Sequence, residues 1–365
     1  MAFQEEKIDP KVGLAHTLPA KLYVNPEALE EEKEKIFRKT WQYVGHVSKV
    51  RNPGDYFTCE VADEPLIIVR GNDGEIRAFY NVCLHRAAKV VEGEGCKKIL
   101  QCPYHAWTFN LDGSLNKAPN FKGVECFEKE NYGLSEVKVE VAGDAFIFVN
   151  LDHHALPMSA TFGKLFEEFK QYNFGELKQT TVFKGQVKAN WKLVIDNYLE
   201  CDHCPVAHPA LIKTLDMKNY FYKLFENYSY QYSPMKDNKG KIEESTQLNF
   251  EDGILREGKY YWLWPNLMIS FNPGPKNFST YQVIPIDVET TESVYTTYFL
   301  DDNMTEEHEK TLKLIEITRN EDFALIENVQ KGLRSRAYTQ GRFSLTEKAV
   351  HHFHLLMQKA LDTHQ

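Results

Sequence analysis

The chain has 365 residues, 42% hydrophobic and 26% charged, with a formal net charge of -9 from 52 acidic against 43 basic side chains. That length exceeds what one hydrophobic core usually organises and predicts two domains; the acidic balance excludes the basic footprint of a nucleic-acid binder, and no run approaches the ~20 apolar residues that span a bilayer. The N-terminal stretch MAFQEEKIDPKVGLAHTLPA has neither a basic start with an apolar run nor the Arg-rich composition of a transit peptide, so a cytoplasmic location is expected. Along the chain, Asn25 followed by Pro26 and a run of acids predicts a capped helix reaching about Arg38. Residues 41 to 155 then read as short β-rich runs (YFTCEVA, PLIIVR, IRAFYNVC, AFIFVNL) separated by turns such as GNDGE and LDGS, which predicts a small all-β domain after an N-terminal arm and helix of residues 1 to 40. A helical, Phe-rich connector opens the third segment, 156 to 365. There TTVFKGQV, YYWLWPNLMISF, TYQVIPI and VYTTYFL predict a larger sheet, and 305 to 333 and 345 to 362 read as helices with Leu312, Ile315, Ile317, Leu325, Ile326 and Val329 facing the core. The fold class is therefore α+β: an all-β N-terminal domain, then a larger domain with an antiparallel sheet flanked by helices. The sequence shows no internal repeat, and the histidines of HHFH (351 to 354) read as packing or surface residues.

Two constellations carry chemistry. In the β-rich segment, CLHRAAK and CPYHAW place Cys83 with His85 and Cys102 with His105 on two loops. Two thiolates and two imidazoles suit tetrahedral zinc or a 2Fe-2S cluster in which the histidines take one iron and the cysteines the other. One Cys and one His per loop is the second pattern, although spacing alone leaves both open. Cys59, Cys96 and Cys126 read as buried thiols outside any ligand set, and the seven cysteines together as free thiols or metal ligands rather than a disulfide framework.

The second constellation is LECDHCPVAHP, residues 199 to 209. Cys201 and Cys204 form a C-x-x-C that could be a redox dithiol, but without the usual surrounding residues. The two cysteines with His203 and His208 could close around zinc, though adjacent residues would then have to reach one centre from opposite sides of a turn. His203 and His208 could instead be two legs of a 2-His-1-carboxylate triad on ferrous iron. If 193 to 203 is helical, Glu200 lies one turn before His203 and can orient its ring. Asp196 and Asp202 remain possible ligands from spacing.

The loop PYHAWTFNLDGSL resembles the second cluster loop of Rieske proteins, with Ala106 where that loop more often has glycine. Together with IFRKTWQYVGHV, NWKLVIDNYLECDHCPVAHP and RNEDFALIENVQKGL, it makes almost the whole chain similar to the oxygenase (alpha) component of Rieske non-haem iron oxygenases. The resemblance implies a Rieske 2Fe-2S cluster on Cys83, His85, Cys102 and His105, and mononuclear Fe(II) on His203, His208 and Asp322, with Glu321 the nearest rival for the third place. Cys201 and Cys204 then become packing residues beside the site. It also implies O2 as co-substrate and electrons from a separate flavin/iron-sulfur reductase that draws on NAD(P)H, since no G-x-G-x-x-G follows a strand here. A homotrimer is implied too, because the two centres within one subunit of these proteins lie too far apart, and the cluster of one subunit serves the iron of the next. Glu200 is then the candidate catalytic bridge, linking His203 to His105 of a neighbouring subunit.

For the substrate, NYLECDHCPVAHPA, WPNLMISF and QGRFSLTEKAVHHFH are most similar to the monooxygenases of quaternary ammonium compounds such as glycine betaine and carnitine. Tyr260, Trp262 and Trp264, with Tyr261 and Phe271 nearby, are candidates for an aromatic cage around a cationic head group. N-methyl hydroxylation followed by demethylation is the implied outcome, and an aromatic-ring hydroxylating alpha subunit is the alternative. A cluster-only electron carrier and a zinc-stabilised binding module are the readings from other classes; iron, zinc and sulfide content separates them.

Overall fold

The strand run PLIIVR lacks the polar alternation of a half-exposed strand, and the computed structural model, which describes residues 7–236, 248, 253–299 and 304–362, shows why. Glu64–Arg70 lies inside a seven-stranded sheet whose order is Gln42–His46, Phe146–Asn150, Glu136–Ala142, Ile76–Tyr80, Glu64–Arg70, Asp55–Val61, Glu94–Cys96, every pairing antiparallel. Leu66 and Ile68 join one core with Phe57, Ile147 and Val149, whereas Ile67 and Val69 join another with Phe79, Trp107 and Phe109. Burial on both faces makes the run continuously apolar. A three-stranded sheet of Leu100–Gln101, Thr108–Phe109 and Leu115–Lys117 rests on the second core. Its LDGS turn needs Gly113, which has φ 85° and where a Cβ would stand 2.4 Å from the Phe79 ring. Cys96 is exposed on the three-residue edge strand Glu94–Cys96 and Cys126 is exposed as well, which corrects the buried-thiol expectation at both, whereas Cys59 is half-buried against the core of Phe57 and Leu66.

The chain divides into two compact units, Phe37–Glu176 and a larger one made of Met1–Ile36 with Leu177–Gln365. In the larger unit a second seven-stranded antiparallel sheet runs in the order Lys178–Val187, Thr290–Phe299, Asn277–Asp287, Leu267–Phe271, Glu257–Leu263, Tyr228–Pro234, Phe221–Leu224. The helices Trp191–Tyr198, Glu306–Leu333 and Lys348–Asp362 flank it, so the α+β expectation holds. The capped helix is Pro26–Glu32, with the Asn25 side chain accepting from Glu27 N, and it continues to Phe37 as a π-helix. Its last residue, Glu32, is fully buried and pairs with Lys192 Nζ at 2.5 Å and Trp191 Nε1 at 2.7 Å, which fixes the N-terminal segment against helix Trp191–Tyr198. A second tie comes from Asp196, which accepts from Tyr23 Oη at 2.9 Å and from His354 Nε2 at 2.8 Å while His354 Nδ1 takes Leu18 N–H. His354 and His351 are thus buried packing residues.

Two expectations shift. Helix Trp191–Tyr198 stops before residue 203, so Glu200 and His203 sit on a loop and not on one helical face. On helix Glu306–Leu333, Ile326 is buried, but Leu325 and Val329 are 40% and 49% exposed. No helix among the described residues is long and apolar enough to cross a membrane.

Candidate metal centres and their cavity

The loops that carry Cys83 and Cys102 are built alike. In each, the cysteine N–H donates to the carbonyl five residues on (Ala88, 2.9 Å; Trp107, 2.8 Å), and the residue four positions on returns its N–H to the cysteine carbonyl (Ala87, 2.9 Å; Ala106, 3.2 Å). Those return residues, Ala87 and Ala106, take positive φ of 58° and 56°. Closing both loops with their own backbone aims both sulfurs inward: Cys83 and Cys102 are buried, and burial first, then Cys102, pushes the Cys83 thiol up. The His85 and His105 rings lie 4.5 Å apart, and His85 stacks on Trp107 at 5.0 Å. His85 Nδ1 is buried without a hydrogen-bond partner among the described residues. Two thiols, two convergent imidazoles and an orphaned ring nitrogen fit a two-iron cluster.

In the larger unit the structure brings His203, His208 and Asp322 together. His203 Nε2 is 3.2 Å from His208 Nε2, and Asp322 Oδ1 is 3.4 Å and 3.0 Å from these two atoms. Each imidazole turns its other nitrogen to a carboxylate, His203 Nδ1 to Glu200 Oε1 and His208 Nδ1 to Glu321 Oε2 at 2.8 Å. With Nδ1–H donated there, each Nε2 turns to the other and to Asp322 Oδ1, and only protons or a metal ion between them keep the arrangement from repelling. Ligand atoms about 2.1 Å from one ion lie roughly 3.0 to 3.4 Å apart, so the triad fits mononuclear iron. Burial depresses the imidazolium of His203, but its bonds to Asp322 and Glu200 outweigh that and hold its pKa at about 9; His208 is raised in the same way. Burial would raise the Asp322 carboxyl, yet the two histidines bring it down. A metal ion therefore displaces protons when it enters.

The surroundings sort the rivals. Glu321 is engaged by His208 Nδ1 and so orients a ring, a role unassigned from the sequence although the residue adjoins Asp322. Asn197 Nδ2, 3.4 Å from His203 Nε2, was not anticipated either. Glu200 shapes its own loop, taking the backbone N–H of Asp202 at 2.5 Å and of His203 at 3.3 Å through Oε2. Asp202 is exposed and engaged by Ser344 and Thr346. Cys204 lies within 4.8 Å of both histidine nitrogens, yet its sulfur is joined to Cys201 in a disulfide, which corrects the expectation of free thiols: the three-residue spacing and a Cα separation of 4.9 Å bring the sulfurs together across the turn. The Cys2His2 zinc set is thus not assembled.

A cavity of about 830 Å³ opens onto the triad. Tyr260 lines it, as do Tyr198, Tyr220, Tyr281 and Tyr295 from neighbouring elements. Trp262 and Trp264 do not reach it. They continue the Tyr260 strand and hairpin past the end of the cavity, where both pack on Phe353 and Trp262 Nε1 donates to the Pro265 carbonyl. Tyr261 and Phe271 are buried outside the lining too.

Residues 40–128 match the Rieske [2Fe-2S] domain, and residues 170–363 match the ring hydroxylating alpha subunit (catalytic domain). The chain is 36% identical over 360 residues to the carnitine monooxygenase oxygenase subunit of Escherichia coli (strain K12), covering 94% of this chain and 93% of the relative. It is 32% identical to the chloroplastic choline monooxygenase of Arabidopsis thaliana, covering 97% and 86%. Among solved structures it superposes on a quaternary ammonium Rieske monooxygenase in complex with L-carnitine with a TM-score of 0.86 and 33% identity, over 98% of this chain and all of the other. A naphthalene 1,2-dioxygenase shares the fold, with a TM-score of 0.77 at 20% identity over 100% and 95%.

Proposed function

The chain belongs to the Rieske non-haem iron oxygenases as an oxygenase (alpha) component, a monooxygenase with a Rieske cluster, mononuclear iron and O2 as co-substrate, and from that premise we propose that it oxidises a quaternary ammonium compound of the betaine or carnitine type. The observation that carries this reading is the wall of the cavity above His203, His208 and Asp322. Tyr220, Tyr260, Tyr281 and Tyr295 face it, and burial first of all pushes their hydroxyls up, so they stay neutral and offer aromatic faces to a methylated cation. The names of the carnitine and choline monooxygenase relatives support the same class.

When bound, the cluster relays electrons and the mononuclear iron reduces O2. The chain's own part is positional. His203, His208 and Asp322 would hold the ion on one side, Glu200 and Glu321 would keep the two rings turned to it, and the tyrosines would seat the substrate's ammonium methyl groups and shed water. Hydroxylation of an N-methyl carbon gives a hemiaminal that collapses to formaldehyde and the demethylated amine. Electrons come from a separate NAD(P)H-dependent flavin/iron-sulfur reductase in this proposal, and the working unit is a homotrimer. A shallow depression lined by Glu200, Leu325, Val329 and Tyr338 supports that assembly, since the exposed apolar residues around Glu200 would be covered by a neighbouring copy presenting His105, and Glu200 would bridge the two centres.

The test is reduced-nicotinamide consumption with a reductase and a panel of substrates. A betaine-type amine should stimulate turnover more than simple aromatic compounds, with formaldehyde released in step. Stimulation by aromatics alone would move the reading to ring hydroxylation.

A further inference from the structure

Among the described residues three Lys or Arg side chains border the cavity, and they differ in how their charge is met. Lys213 is exposed to water. Lys310 sits 3.0 Å from each of the Glu306 and Glu307 carboxylates. Arg319 is half-buried and meets its charge less fully: its Nε and Nη1 are buried and, among the described residues, have no hydrogen-bond partner. Among the described residues the carboxylates that line the cavity are committed elsewhere, Glu200 to His203, Glu321 to His208, Asp322 to both rings and Glu307 to Lys310. The guanidinium lies over Phe183 at 5.0 Å and Phe323 at 5.4 Å. Rings hold a cation in place, but they accept none of its N–H bonds. Two buried guanidinium N–H groups left in this condition are costly unless an anion arrives to pair with them.

Its position says where that anion sits. Arg319 precedes Asp322 by one helical turn on Glu306–Leu333, so the two side chains leave the same face. Tyr281, Asp322 and Arg319 line one and the same cavity. The cavity thus has an acidic, metal-binding end and a cationic station one turn away.

We infer that Arg319 is the specificity-determining anchor for a carboxylate group of the substrate, so that the enzyme prefers zwitterions carrying both a quaternary ammonium and a carboxylate over quaternary ammonium alcohols. The inference rests on the quaternary ammonium reading proposed above and narrows it. The planar fork of arginine pairs with a carboxylate through two hydrogen bonds, which an alcohol cannot return. The ammonium end of the bound molecule is thereby turned towards His203, His208 and Asp322.

The experiment compares trimethylammonio-butanoate with the matching trimethylammonio-butanol in wild type, Arg319→Gln and Arg319→Lys, each checked for an unaltered cluster spectrum and thermal midpoint. Arg319→Gln should lower kcat/KM for the carboxylate about 30-fold, mainly through KM, and lower it for the alcohol at least tenfold less; Arg319→Lys should fall between. Calorimetry with the carbon analogue, in which tert-butyl replaces trimethylammonium, reads the anchor without the cation: wild type binds it and Arg319→Gln does not. If neither amine is turned over but the analogue still needs Arg319 to bind, the quaternary ammonium reading fails while the anchor stands. Equal losses for both amines, or binding of the analogue that ignores Arg319→Gln, would overturn the anchor.

Discussion

The two metal-binding regions are held by different means. The loops around Cys83 and Cys102 are closed by their own backbone, with the same two hydrogen bonds in each and an aromatic floor of Trp107 and Phe121 beneath His85. At the second centre a single helical turn ties His203 to His208, with Ala207 N–H on the His203 carbonyl at 2.9 Å and His208 N–H on the Cys204 carbonyl at 3.0 Å, but no local loop includes the third residue. His203 and His208 come from a loop and a short helix, Asp322 from a distant helix, and carboxylate side chains, Glu200 and Glu321, set the direction of the rings. A backbone-held site tolerates changes in neighbouring side chains, whereas a side-chain-held site depends on each orienting partner.

The comparison breaks most severely when ligands are removed. Alanine at His203, His208 or Asp322 should abolish the mononuclear iron and turnover while the cluster's visible bands persist, and alanine at His85 or His105 should bleach those bands while the mononuclear iron stays. Iron and acid-labile sulfide assays with the spectrum read both outcomes, and loss of both centres from either set would erase the distinction.

Orienting partners come next. Glu321→Gln should weaken mononuclear iron binding about 10- to 100-fold by chelator competition, with no change at the cluster. Acid separates the regions by another route. His46 is fully buried in the cluster-bearing unit, taking Ser48 N–H on Nδ1 and donating Nε2–H to the Phe174 carbonyl at 3.1 Å, and burial lowers its pKa to about 4. The unfolded ring, at ~6.5, binds its proton first, so the stability it contributes is complete above that pH and is lost as pH falls through the window towards about 4. The loss is at most about 3.5 kcal/mol, and His46→Asn should flatten the fall in the midpoint of cluster bleaching between those pH values. The smallest effect belongs to Ala106→Gly, which relieves a positive φ and should slow thermal loss of the cluster by no more than about 1 kcal/mol.

The same contrast decides what a reader of the sequence can see. The cluster loops are local, so spacing and flanking residues bring Cys83, His85, Cys102 and His105 together as one candidate set. His203 and His208 are legible for that reason too, whereas Asp322 is reached only through resemblance, because it lies more than a hundred residues further on. Glu321 and Arg319 carry no sequence signal of their own: each is one more charged residue on a helix until the tertiary packing shows what faces it. The strand alternation that offers Trp262 beside Tyr260 is real, but it gives a face of the sheet and not the point where the cavity ends. Leu325 and Val329 mislead in the same way, since periodicity marks an apolar stripe without saying whether this chain or another covers it.

In the proposed trimer Glu200 is the bridge between the two centres, and a single-turnover experiment on Glu200→Ala addresses that most directly. Protein loaded with both metals, its cluster reduced beforehand, is mixed with a quaternary ammonium substrate and O2, and cluster oxidation is followed with product. Wild type should oxidise its cluster as product forms, whereas Glu200→Ala, with its mononuclear iron still in place, should keep the cluster reduced. Rapid cluster oxidation coupled to product in Glu200→Ala would contradict the bridge, and loss of the mononuclear iron would assign Glu200 to holding His203 alone.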